Sequence, residues 1–267
     1  MPIYDGDVDR TRPIGTLGIL GAGRLGLVLA RLAASAGYRV RVAASGPPAA
    51  IARRVEAVGA TAGTVAEVIA DADAVVLALP LRHYRMLPAE LLRERLVIDA
   101  MNYWWADGVR PDLSDPATST SETVQGYLRG ARVVKALGHM GYQDLEDEAR
   151  PSGAPDAAGR KAIAIAGDDA GDLAVVARLV DDLGFDPVIA GPLAAGVMLE
   201  PGGEVFGADV DAAELRAMLA RFPHSQRGIV VARARAGRLG FETESFTTES
   251  FTTESFETGT FETERGA

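Results

Sequence analysis

The sequence predicts an α/β protein: an N-terminal doubly wound parallel sheet, followed by a second, smaller α/β domain. Three observations carry this. Short apolar runs alternate with amphipathic helical stretches from residue 16 to residue 136, the signature of successive β-α-β units. The first unit contains Gly21, Gly23 and Gly26 in a G-x-G-x-x-G spacing, after an apolar strand and at the opening of a helix. Beyond residue 139, two more strand patterns, 161–166 and 185–190, flank a helical one. The expected boundaries are a loose polar arm at 1–13, the parallel-sheet domain at 14–138, the smaller domain at 139–222 and an acidic tail at 223–267.

The first strand, 17–20, is nearly all apolar, as a parallel strand buried on both faces should be. Gly21 then allows a tight turn, Gly23 has no Cβ to block a pyrophosphate, and Gly26 lets the helix pack closely. The helix start at Arg24, Leu25 and Gly26 offers backbone N–H groups and a positive dipole end to a phosphate. This is the Rossmann arrangement for a dinucleotide; its bland alternative is a glycine-rich turn without a ligand. The helix runs to about residue 36, where Gly37 ends it.

The second strand, 38–43, leads into Ala43-Ala44-Ser45-Gly46. NAD-binding folds usually place an acidic residue there for the ribose hydroxyls. Its absence removes a group that would repel a 2′-phosphate. Ser45 can donate to that phosphate, and Arg53 and Arg54 lie on the next helix, so NADP is expected over NAD. A solvated helix face explains either arginine equally well.

A helix at 49–58, a short strand near 60–62 and a helix capped by Thr64 at 65–70 follow. The strongest strand is 74–79, stopped by Pro80. Ligands in open α/β sheets lie at the carboxyl ends of strands, so Leu79, Pro80 and His83 are expected to border the cofactor. His83 also fits a surface loop. A helix at 87–94 and a strand at 96–99 precede Asn102, whose side chain can bond a carboxamide, and the adjacent Trp104 and Trp105. The tryptophans read equally as core plugs or as the wall of an aromatic-ligand pocket. Ser119 and Glu122 form a capping box for a helix reaching about 128, and 132–136 is a further strand.

Residues 144–156 read as a polar, turn-rich loop, and Glu146 to Glu148 as solvated rather than metal-binding. A helix starts at Asp168 and Asp169 and ends at Gly184, and another occupies 210–222. From Phe241 the chain repeats FETES-like units with Phe every five residues, a period that fits neither a helix nor a strand face. Disorder is expected there.

No Cys is present, which removes disulfides and thiolate chemistry. The net charge of −10 disfavours nucleic-acid or anionic-membrane partners, although −6 of it lies from Phe241 onward. The polar N-terminus and the lack of a long apolar run lead to the expectation of a soluble, cytoplasmic protein.

The runs Gly18 to Gly26, Val76 to Pro80, Val97 to Asn102, Arg132 to Ala136, Ala166 to Asp169, Leu183 to Pro187, Ala190 to Ala195 and Leu199 to Pro201 together resemble the coenzyme F420-dependent NADP oxidoreductases. The resemblance implies hydride exchange between NADP(H) and a 5-deazaflavin, with the deazaflavin between two domains, usually in a homodimer. Such chemistry depends mainly on positioning. Among the three histidines, His139 follows a strand end and is the candidate proton donor or cofactor contact; a packed loop histidine is the alternative. Lys135 reads as a structural ion-pair member. Two other functions compete: an NADPH-dependent reductase of a small imine or oxo or hydroxy acid, and a non-catalytic NADP-binding sensor.

Overall fold

The computed structural model describes residues 14–104, 106, 108, 110–151 and 159–243. The expected N-terminal arm, Trp105 and the Phe repeats beyond residue 243 lie outside the described residues.

The first half is built as the alternating pattern requires. Strands β1 (Thr16–Leu20), β2 (Arg39–Ala43), β3 (Thr61–Ala62), β4 (Ala74–Leu77), β5 (Leu96–Asp99) and β6 (Arg132–Lys135) pair in parallel in the order β3-β2-β1-β4-β5-β6. Helices α1 (Arg24–Ser35), α2 (Ala52–Glu56), α3 (Val65–Asp71), α4 (Ala89–Leu92) and α5 (Thr120–Tyr127) lie between them. Alternate strand residues feed opposite faces. Ile19, Val76 and Ile98 join Leu29 and Ala33 of α1 in one apolar core, while Val75, Leu77 and Val97 join Val68 of α3 and Val124 of α5 in the other. Both expected caps are closed boxes. Thr64 and Glu67 exchange bonds at 2.8 and 3.3 Å, and Ser119 and Glu122 at 2.7 and 3.1 Å.

The second half departs from expectation in an instructive way. Its strands β7 (Ala162–Gly167) and β8 (Asp186–Gly191) do not form a sheet of their own; they extend the first one past β6. β7 is buried at every position and needs a partner on each edge. β8 covers one edge in parallel, and β6 covers the other in antiparallel fashion through Val134↔Gly167 and Lys135↔Ala166. The earlier residues of β7 therefore run beyond the carboxyl end of β6. Ile163 and Ile165 pack into the α1 core with Val176 and Leu179 of α7 (Ala170–Asp182; α6 is Tyr142–Glu148). Ala162, Ala164 and Ala166 face a separate cluster with Val188, Leu199 and Leu215 of α8 (Ala212–Arg221). The region 139–222 thus has a small core of its own but shares the main sheet.

Three local expectations are corrected. Residues 142–148 form helix α6 instead of a loop, because Leu145 is buried against the α1 core. Residues 87–94 yield only the single turn α4. The chain from Gln226 to Thr243, expected to belong to the tail, is helix α9. Trp104 is no core plug: it is 49% exposed, its ring edge-on to Phe206 at 5.5 Å between centroids. No described helix is long and apolar enough to cross a membrane.

Candidate functional site

The carboxyl ends of β1, β2 and β4 open into a cavity of about 600 Å³. Gly21, Gly23, Ser45, Arg54, Leu79, Pro80 and His83 all line it. Seven sequence-predicted residues therefore meet in one cleft. Gly21 sits at φ +128°, and a Cβ there would strike the Ala78 carbonyl. A Cβ on Gly26 would collide with the Gly21 carbonyl. At Gly23, by contrast, a Cβ would meet nothing within 4 Å. Gly21 and Gly26 thus serve the protein's own packing, while Gly23 keeps open space at the helix start. α1 begins there without a side-chain cap and without an acidic residue in its first turn, so its N–H groups face the cleft uncompensated.

Arg24 and Leu25 divide between backbone and side-chain roles. Leu25 packs partly against the core, so its side chain is structural. The Arg24 guanidinium donates to the Tyr142 hydroxyl at 2.8 Å and lies over that ring, 5.6 Å from its centroid. Nothing in the sequence linked these residues, because Tyr142 stands on the unpredicted helix α6. Arg53 is exposed and does not line the cavity; its neighbour Arg54 does. Met86, Leu87 and Pro88 add apolar lining, of which the sequence reading placed Leu87 and Pro88 in a helix.

Asn102 lies outside that cavity, at the ends of β5 and β6. Its Nδ2 donates to the Gly138 carbonyl at 2.6 Å, and its buried Oδ1 has no partner in the protein. Gly138 permits this approach, since a Cβ there would lie 2.8 Å from the Ala100 carbonyl. The preceding Leu137 adopts φ +64°, a left-handed conformation of the kind often held under strain beside functional sites.

His139 is corrected. It is 1% exposed, and its Nε2 accepts the Ala164 backbone N–H at 2.9 Å. Burial pushes its pKa down to about 4, opposed by the Val205 carbonyl and reinforced by the nearby Lys135 ammonium. A neutral imidazole, sealed under β7 and already used as an acceptor, is no proton donor to a ligand in the cleft. The sequence could not show this because the antiparallel return of β7 over the end of β6 leaves no local pattern. Among the described residues, no cluster of His, Cys, Asp and Glu could hold a metal ion.

A parallel sheet with a glycine-turned, uncapped helix start at its carboxyl edge is the architecture of the Rossmann fold. Residues 16–103 match the family described as NADP oxidoreductase, coenzyme F420-dependent. Over 87 residues the chain is 38% identical to the protein YjhV of Escherichia coli (strain K12), an alignment spanning 31% of this chain and 61% of that relative. The crystal structure of a hypothetical protein, SMa0349 from Sinorhizobium meliloti, superposes with a TM-score of 0.64 at 25% identity, covering 73% of this chain and 94% of the other. A "putative F420 dependent NADP-reductase" from Arthrobacter sp. FB24 gives 0.57 at 26% identity, over 68% and 89%. The 3-hydroxyisobutyrate dehydrogenase of Mycobacterium tuberculosis shares the fold, with a TM-score of 0.52 at 18% identity, over 88% and 71%.

Proposed function

We propose that this protein is an NADP(H)-dependent oxidoreductase that exchanges hydride with a small-molecule partner, a deazaflavin of the coenzyme F420 type or a similar acceptor, and that it works as a homodimer. The observation that carries the reading is the cleft itself: an open Gly23 cradle at an uncapped helix start, with Ser45 and Arg54 lining the same cavity. The family match over residues 16–103 and the Arthrobacter neighbour support it.

The residues present fit a phosphorylated dinucleotide. The first-turn N–H groups of α1 would take the pyrophosphate. Ser45 and Arg54, with no carboxylate beside them at the end of β2, would take a 2′-phosphate. The apolar face of Met86, Leu87 and Pro88 suits an adenine ring. The cofactor itself would supply or accept the hydride. The protein's part is to bind, to orient and to keep water out, which is where such enzymes gain most of their rate.

Dissociation constants for NADPH and NADH test the dinucleotide choice. A charge-assisted arginine–phosphate contact contributes about 1.5–3 kcal/mol, or roughly one to two decades of affinity. Arg54→Ala should therefore weaken NADPH about 10- to 100-fold and leave NADH unchanged, whereas Arg53→Ala should change neither. Ser45→Asp should reverse the cofactor order. Equal affinities in the wild type would sink the NADP assignment. Loss of deazaflavin absorbance on mixing F420 with enzyme and NADPH tests the acceptor; no change would point to another acceptor.

A further inference from the structure

Asp99 and Lys135 end the neighbouring central strands β5 and β6 and stand opposite each other in the ladder. Both are sealed, at 0% and 1% exposure, with Nζ 3.7 Å from Oδ2. Their ladder neighbours Val97, Ile98, Val133 and Val134 are all apolar. Burying two charges costs several kcal/mol each, and an apolar pair of similar volume often stabilises a fold as well or better. Stability is therefore a poor account of this pair.

What the pair holds is more specific. Asp99 Oδ1 accepts the Met101 N–H at 2.9 Å, and Oδ2 accepts the Ser121 hydroxyl at 2.6 Å. Lys135 Nζ donates to the Met101 carbonyl. One residue is thus gripped by both of its backbone polar groups, each by an opposite charge, and Ser121 ties the grip to α5. The next residue is Asn102, whose Nδ2 is spent on Gly138 and whose Oδ1 is left without a partner. A buried acceptor without a donor is costly unless a ligand completes it.

We propose that Asp99, Lys135 and Ser121 are positioning residues that fix the Met101 peptide, and with it the Asn102 Oδ1, to receive a hydrogen bond from the nicotinamide-nucleoside half of the dinucleotide. This rests on the functional reading above. The adenosine half belongs at Ser45, just past β2, and Arg54 of α2, so the other half must reach the ends of β5 and β6 beyond β4. There the Asn102 Oδ1 offers an acceptor to an amide or hydroxyl donor.

The test compares two probes, NADPH and adenosine 2′,5′-bisphosphate, which lacks the nicotinamide half. Asn102→Ala, Ser121→Ala and Lys135→Met should each weaken NADPH about tenfold or more and leave the bisphosphate unchanged. They should also alter the fluorescence of bound NADPH. In the Asn102→Ala background, Ser121→Ala or Lys135→Met should cost no further NADPH affinity, because their effect runs through Asn102. If Lys135→Met does not fold, Ser121→Ala carries the comparison, since it leaves the charged pair in place. A wild type that binds neither probe removes the functional reading on which this stands. A wild type that binds both, with variants that lose both probes in parallel, lose neither, or add fully to Asn102→Ala, overturns this inference alone.

Discussion

The glycines of the first turn look alike in sequence but answer to different neighbours. Gly26 abuts the Gly21 carbonyl, so Gly26→Ala must push α1 off the turn. Overpacking of this kind costs about 1–3 kcal/mol, and a thermal melt should show a clear loss. Gly23 has open space where its Cβ would be, and its φ of −79° suits any residue. Gly23→Val should therefore melt close to the wild type, yet fill the pyrophosphate space and weaken NADPH about 100-fold or more, near 2.7 kcal/mol. A folded Gly23→Val protein with unchanged affinity would show that no pyrophosphate sits there. The packing roles of Gly21 and Gly26, set by chain geometry, were legible in the sequence. The choice between Arg53 and Arg54 was not, because adjacent residues on a helix point about 100° apart and only the packing of α2 decides which one faces the cleft.

At the level of elements, the strands and capped helices of the first half could be read from the sequence, since strong periodicity and capping boxes are local signals. The second half hides its elements better. α6 is seven residues with a single buried side chain, Leu145, too little to show a period. α9 is masked by its charge, and it is held by polar anchors more than by an apolar stripe. Arg227 donates to Glu200 at 2.9 Å and to the Pro201 carbonyl, and Arg235 donates to the carbonyls of Ala117 and Ala194 at 3.1 and 2.9 Å. Glu200 is itself buried and takes the N–H and hydroxyl of Thr120 at the start of α5 at 2.7 and 3.0 Å. Removing Arg227 takes away the guanidinium paired with that carboxylate. Arg227→Ala should cost about 1–3 kcal/mol, a charged hydrogen bond partly screened by solvent, read as a shift in the urea midpoint. Truncation after Thr243 spares all of these anchors and should leave the midpoint in place. Truncation before Gln226 removes them and should lower it by more than Arg227→Ala alone.

For the whole molecule, the decisive feature is the seam between β6 and β7, where the parallel sheet reverses direction. Only two residue pairs make that ladder. His139 reinforces it, with Nε2 accepting from Ala164 of β7 and its own carbonyl accepting from Gly207 at 2.7 Å. This gives the seam a pH dependence of definite sign. The imidazole falls from an ordinary 6.5 to about 4 in the folded protein. Between those values the unfolded chain binds a proton that the folded one refuses, so acid favours unfolding. The contribution is complete above about pH 6.5 and is lost as pH falls toward about 4, up to roughly 3 kcal/mol in all. Carboxylates titrate over part of the same range, so a variant must isolate the histidine. His139→Gln keeps an acceptor for Ala164 but cannot take a proton. It should be less stable than the wild type at neutral pH, because the amide fills the site less well, while losing less stability between about pH 7 and about pH 4.5. Urea unfolding of both proteins at the two pH values measures the difference. Parallel losses in the two proteins would mean that His139 does not set the acid sensitivity of the seam, and that its proton is exchanged elsewhere than in this fold's central joint.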